Sequence, residues 1–264
     1  TLDLANFALT LDDNMSRLSI AQLVTLDAAG EKILTGDADL SLNGGISVTA
    51  GTLSSTGGTL SLPGGATLAN GLLDSTGGDW VLGGDFLKSS GTLTISETDL
   101  KLEGNITLTS DEDEKLSFVN LNLNDFTLTL GSSTSDLTVE NAITIDTSTE
   151  GILTGGADLL LSALTLSAGD VTSTGGIVSL PGGGQLSGTG KLEVIGSTWG
   201  LGGDFVKSSG TLTTSQTTLK LEDNSTLTSD VLLNFENLNL NDFTLILDNS
   251  TSDLTVQNAI TIDA

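Results

Sequence analysis

The sequence predicts an all-β protein, a right-handed parallel β-helix (β-solenoid) of about thirteen rungs. Three observations predict it. A long segment repeats along the whole chain, apolar residues alternate with polar ones in short runs, and the joints between runs are too short for crossover helices.

The repeat is clearest at L-N-L-N-D-F-T-L-T-L (121–130), which returns as L-N-L-N-D-F-T-L-I-L (238–247) and, more worn, as L-D-L-A-N-F-A-L-T-L (2–11). Phe7 and Phe126 are 119 residues apart, and Phe126 and Phe243 are 117 apart. Further landmarks agree: S-L-P-G-G at 61–65 and 179–183, and L-G-G-D-F-L-K-S-S-G-T-L-T (82–94) with L-G-G-D-F-V-K-S-S-G-T-L-T (201–213). The copies are residues 1–119 and 120–236, with a partial third at 237–264. They join through F-V-N-L-N-L (118–123) without a linker, so we expect one continuous solenoid over 1–264 rather than two β-sandwich domains.

Within a copy, Leu137 and Val139, then Ile143 and Ile145, alternate with Thr138, Glu140 and Thr144, the period of a half-buried strand. At Asn124–Asp125 the alternation changes phase, which marks a corner. Rungs of roughly 20 residues give about six rungs per copy. Phe126 and Phe243 share parity with Leu128/Leu130 and Leu245/Leu247, so the pattern places both rings inside.

Composition narrows the function classes. The 264 residues include no Cys, no His and no Tyr, which removes disulfides, thiolate metal sites and the commonest general base. There are 34 acids against 8 bases, a net charge of −26, which disfavours nucleic acid and anionic membrane and favours solubility at a wet cell surface. No apolar run is long enough for a transmembrane helix, so membrane insertion is not expected. No signal peptide is visible, and we read the chain as a piece of a longer or processed polypeptide. Neither Thr1–Leu11 nor Asn258–Ala264 reads as a cap, so end-to-end self-association is expected.

Several residue sets invite a chemical reading. The pairs Thr92/Thr94, Thr107/Thr109, Thr127/Thr129, Thr211/Thr213 and Thr226/Thr228 resemble the threonine ladders of ice-binding β-helices, but their spacing is irregular and Thr suits any exposed strand face. The run Asp111, Glu112, Asp113, Glu114 offers oxygen ligands to calcium, yet its counterpart keeps only Asp230; a weakly bound Ca²⁺ is the sole cofactor considered, and no metal ligand is assigned. Asp85/Asp204, Asp125/Asp242 and Asp136/Asp253 read as turn formers that bond their own following backbone. Trp80 and Trp199 precede L-G-G-D-F and read as core cover rather than sugar platforms. Asn14, Asn105, Asn224 and Asn249 stand in N-x-S/T patterns. Arg17 is the only Arg, and almost every polar group occurs in duplicate, so no catalytic residue is assigned and no enzyme is expected.

The phrases S-S-G-T-L-T-I (89–95), S-S-T-G-G-T-L-S-L (54–62) and S-T-G-G-I-V-S-L (173–180) resemble repeat regions of giant bacterial surface proteins, the filamentous-haemagglutinin-like and autotransporter-type β-helical adhesins. That resemblance implies an extracellular or cell-surface structural protein, a rigid stalk or fibre for adhesion, coating or filament assembly, with cell-surface or matrix components as partners. The alternative is a carbohydrate- or ice-binding β-helix module, and after it a polysaccharide-degrading enzyme.

Overall fold

Runs such as T-L-S-L at 59–62 put leucine at every second position, and glycine or a polar turn follows before the next run can grow. The chain accordingly forms short parallel strands, mostly of three to five residues, with no helix among the described residues. The computed structural model describes residues 2, 4–11, 13–111, 115–248 and 252–262. Its parallel sheets stack as a β-solenoid of about 12 turns. The chain divides into two compact units, Thr1–Ser135 and Asp136–Ala264.

In the first unit each turn has three faces. Lys32–Leu34, Asp39–Leu42 and Ile46–Val48 make one turn, and Thr52–Ser55 then returns onto Lys32–Leu34. One sheet stacks Arg17–Ile20, Asp39–Leu42, Thr59–Leu62, Asp79–Leu82, Asp99–Leu102 and Leu121–Asn122. A second runs through Val24–Leu26, Ile46–Val48, the first halves of Ala66–Thr76 and Phe86–Ser96, Ile106–Ser110 and Thr127–Leu130. The third runs through Ala8–Thr10, Lys32–Leu34, Thr52–Ser55 and the second halves of the two long strands. Register is held from turn to turn, so Leu18, Leu40, Leu60, Trp80, Leu100 and Leu121 form one inward column. The second unit repeats the plan, with Leu137, Leu159, Val178, Trp199, Leu219, Leu238 and Ile260 in one column.

Sequence repeat and coil are out of step. In the first unit the chain crosses two faces from Ala8–Thr10 to Val24–Leu26. Five pairing steps then lead from Val24 through Ile46, Ala66, Phe86 and Leu108 to Leu130, in the strand that copies Ala8–Thr10. One repeat is therefore five turns and two thirds, short of the six that 20-residue rungs predict. In the second unit six steps lead from Leu137 to Ile260, the copy of Ile143, which lies one face beyond Leu137. Six turns less one third is the same advance. The shortfall arises because the turns are uneven: Lys32, Thr52, Leu72 and Thr92 are 20 residues apart, but Phe86 and Leu108 are 22.

The corners depend on backbone that bends left-handed. Ala5–Asn6, Asn124–Asp125 and Asn241–Asp242 all have positive φ, at 50° and 67°, 50° and 68°, and 48° and 65°. Each closes onto the residue before it: Phe7 N–H to Leu4 O at 2.9 Å, Phe126 to Leu123 at 2.9 Å, Phe243 to Leu240 at 2.8 Å. Asn and Asp tolerate this region better than other non-glycine residues, which explains their place there. This geometry corrects one expectation. Phe126 and Phe243 are half-buried and Phe7 is 74% exposed, because each ring sits on the closing residue of the corner, before the inward alternation begins. Parity with the following leucines does not carry back across a bend. The buried phenylalanines are Phe86, Phe118, Phe205 and Phe235.

At the glycine corners adjacent turns touch backbone to backbone. Gly183, at φ +75°, leaves no room for a Cβ: it would fall 2.7 Å from Asp204 N and closer still to Asp204 O. Gly183→Ala should therefore cost more than the roughly 1–2 kcal/mol of the left-handed conformation alone. Urea unfolding reads the difference, and an unchanged midpoint would mean that the turns are not stacked at this corner.

Candidate functional site

Several of the repeated polar residues are spent on the backbone ladder. Asp85 Oδ1 accepts Thr107 N–H at 2.7 Å, and Asp204 Oδ1 accepts Thr226 N–H at 2.8 Å. Asn105 does the same for Thr127 at 2.8 Å, and Asn224 for Thr244 at 2.9 Å. In the same way Asp39 receives Thr59, Asp136 receives Asp158, and Asp158 receives Ile177. Each carboxylate or amide oxygen thus caps a strand one turn further on, some 20 residues away. Asp85, Asp204 and Asp136 were expected to bond their own following backbone; stacking presents them with the next turn's unsatisfied N–H instead. Asp125 and Asp242 are turn formers, as expected. Sequence reading overlooked Glu31 and Glu150, which cap their own loops: Glu31 Oε2 accepts Asp27 N–H at 2.8 Å and Ala28 N–H at 3.2 Å, and Glu150 Oε2 accepts Asp146 N–H at 3.0 Å.

The tryptophans are core residues. Trp80 and Trp199 are 1% and 0% exposed. Trp80 packs against Phe86 and Phe118, with ring centroids 5.6 and 6.0 Å away. Trp199 packs against Phe205 at 4.9 Å, edge to face, and Phe235 at 5.9 Å. Neither indole Nε1 has a hydrogen-bond partner, so the layer is held by apolar packing alone.

Inside the coil each repeat also buries a lysine. Lys88 and Lys207, in the equivalent phrases D-F-L-K and D-F-V-K, are 0% and 3% exposed. The parity that turns Phe86 and Phe205 inward turns the lysines inward too. Lys207 Nζ meets Asp230 Oδ1 at 2.5 Å, and this bond holds the Asp230 carboxyl below its usual range. Asp230 is thus a counter-ion to a buried lysine. Asp111 begins the acid run, and Glu112, Asp113 and Glu114 lie outside the described residues.

The remaining candidates sit apart from one another. Thr92/Thr94 and Thr211/Thr213 lie on one face of their units, whereas Thr107/Thr109, Thr127/Thr129 and Thr226/Thr228 lie on another. Arg17 makes an exposed ion pair with Asp39 at 3.2 Å. Asn14 is exposed, and Asn249 lies outside the described residues. One cross-turn clasp was not foreseen: Ser179 Oγ donates to Glu222 Oε2 at 2.6 Å across Gly200, whose missing side chain makes the space. Among the described residues no three His, Cys, Asp or Glu side chains group as a metal site. No helix of the described residues is long and apolar enough to cross a membrane.

Comparison with models of protein families, with curated proteins and with solved structures returned no match.

Two outcomes follow from this geometry. Trp199→Ala should cost about 3–5 kcal/mol through the cavity it leaves, and Phe126→Ala clearly less; equal losses in denaturant unfolding would contradict the placement of the two rings. The second concerns pH. Because the Asp230 carboxyl is lowered on folding, its contribution is present above the unfolded value near 3.9 and lost as pH falls through the folded one. Wild type should be more stable than Asp230→Asn at neutral pH, and the gap should close below about pH 4. A gap that persists unchanged at pH 2 would show that the ion pair is not its source.

Proposed function

We propose that the chain is a structural, extracellular repeat protein, a rigid stalk or fibre segment that presents or spaces other groups at a cell surface. The observation that carries this reading is the employment of the polar residues. Asp85, Asp204, Asn105, Asn224, Asp136 and Asp158 all bond the backbone of a neighbouring turn, and Trp80 and Trp199 close the core. The repeat is devoted to holding turn on turn, which is what a stiff spacer needs. The surplus of acids, 34 against 8 bases, suits a surface exposed to salt and keeps neighbouring molecules apart.

Self-association end to end belongs to the same reading. The resemblance to β-helical adhesin repeats supports a surface location. Protease shaving of intact cells, followed by electron microscopy of the released material, tests the proposal. Long rods released from the surface are expected; a compact monomer retained in the cytosol would overturn it.

A further inference from the structure

One face of each unit differs from the rest in charge. In the first unit the sheet through Val24–Leu26 points Thr25, Ser47, Thr67, Leu87 and Thr109 outward in register. Thr107 and Thr129 pair beside them. In the second unit the corresponding sheet points Thr144, Thr165, Gln185, Val206 and Thr228 outward, with Thr226 beside Ile246. None of these side chains is charged, in a protein of net charge −26. The other outward faces are charged. Arg17, Asp39, Asp79, Asp99 and Lys101 mark one face of the first unit, and Lys32 and Asp74 the other. In the second unit Asp170, Lys191 and Glu193 mark one face and Lys220 the other. The strip of the first unit also carries a groove lined by Leu23, Ser47, Thr67 and Leu87, with Asp85 as its one charged lining residue; Leu23 and Leu87 are 47% and 40% exposed.

We propose that this uncharged strip binds a neutral polysaccharide laid along the stacked turns. Outward side chains on successive turns are about 4.8 Å apart, the spacing of strands in a sheet. Threonine offers a hydroxyl and a methyl together, and Leu87 and Val206 interrupt the hydroxyl rows with apolar surface. A sugar chain presents the complementary alternation, hydroxyl edges and C–H ring faces. Charge selects the class. An anionic polymer, or a second copy of this chain, meets a field of 26 excess negative charges. A neutral glycan meets no such repulsion, and the one carboxylate of the groove, Asp85, keeps its Oδ1 on Thr107 N–H. The proposal goes beyond the stalk reading, which stands if the strip binds nothing.

Affinity electrophoresis in gels containing galactomannan, mixed-linkage β-glucan or alginate tests it. Retardation by at least one of the two neutral polymers and none by alginate is expected. Placing a charge on each strip with Thr67→Glu and Thr165→Glu should weaken binding about tenfold, the effect of one unfavourable charge of about 1.4 kcal/mol. Ser61→Glu, outward on the charged face, should leave retardation unchanged, and circular dichroism checks that all variants keep their strands. Absence of retardation by both neutral polymers, retardation by alginate, or equal loss in Ser61→Glu would overturn the proposal. So would sedimentation showing that the strip charges dissociate a dimer, because a second copy would then be the occupant.

Discussion

The hydrogen bonds that run from each turn to the next are the constraint on which the rest depends. A parallel ladder needs the same register on every turn, because a slip of one residue would carry every inward leucine to the surface. Leu40, Leu60, Trp80 and Leu100 stay in one column because their strands pair residue for residue. The ladder also leaves donors unsatisfied wherever a strand begins. Asp85, Asn105, Asp204 and Asn224 answer that need from one turn away. Part of the acidity is thereby a by-product of stacking, since short oxygen-bearing side chains are good caps for a free N–H.

The advance of five turns and two thirds per repeat separates core from surface. Inside, aliphatic residues of different kinds follow one another in a column, as Leu137, Leu159 and Val178 do. Outside, within one unit, the advance puts the recurring phrase on a new face. Thr127–Leu130 continues the sheet begun by Val24–Leu26, whereas its copy Ala8–Thr10 begins a different one. A motif repeated once per copy therefore cannot build a single flat array, whereas residues one turn apart can. The uncharged strip is of the second kind: Thr25, Ser47 and Thr67 are neighbours in space at intervals of 22 and 20 residues.

The buried polar groups show how far the coil tolerates departures from an apolar interior. Ser173 and Ser197 share a hydrogen bond of 3.2 Å, and both also reach the Gly175 carbonyl. Thr217 donates to Val194 O at the same kind of corner. These hydroxyls satisfy carbonyls that the bend takes out of the ladder. Lys207 is the larger departure, and its head group is held by Asp230 near the surface while its stem lines the core.

The sequence by itself determined the architecture. The alternation of Leu137, Val139, Ile143 and Ile145 specified strands, the short Gly and Asn-Asp joints specified corners without helices, and the 119-residue recurrence specified a solenoid. These are local or periodic properties, and period is visible in one dimension. It also read Trp80 and Trp199 correctly as packing residues. Tertiary structure alone decided which residues meet. Phe126 shares the parity of buried leucines yet is half-buried, because a corner interrupts the alternation and parity has no meaning across it. Asp85 bonds a residue 22 positions away, a partner fixed only once the turns are stacked. The inward lysines were written in the parity of D-F-L-K and D-F-V-K, but their burial depends on the neighbouring turns that cover them. The face on which each threonine lies follows from the fractional turn count, the sum of small corner insertions that no single phrase of the sequence contains.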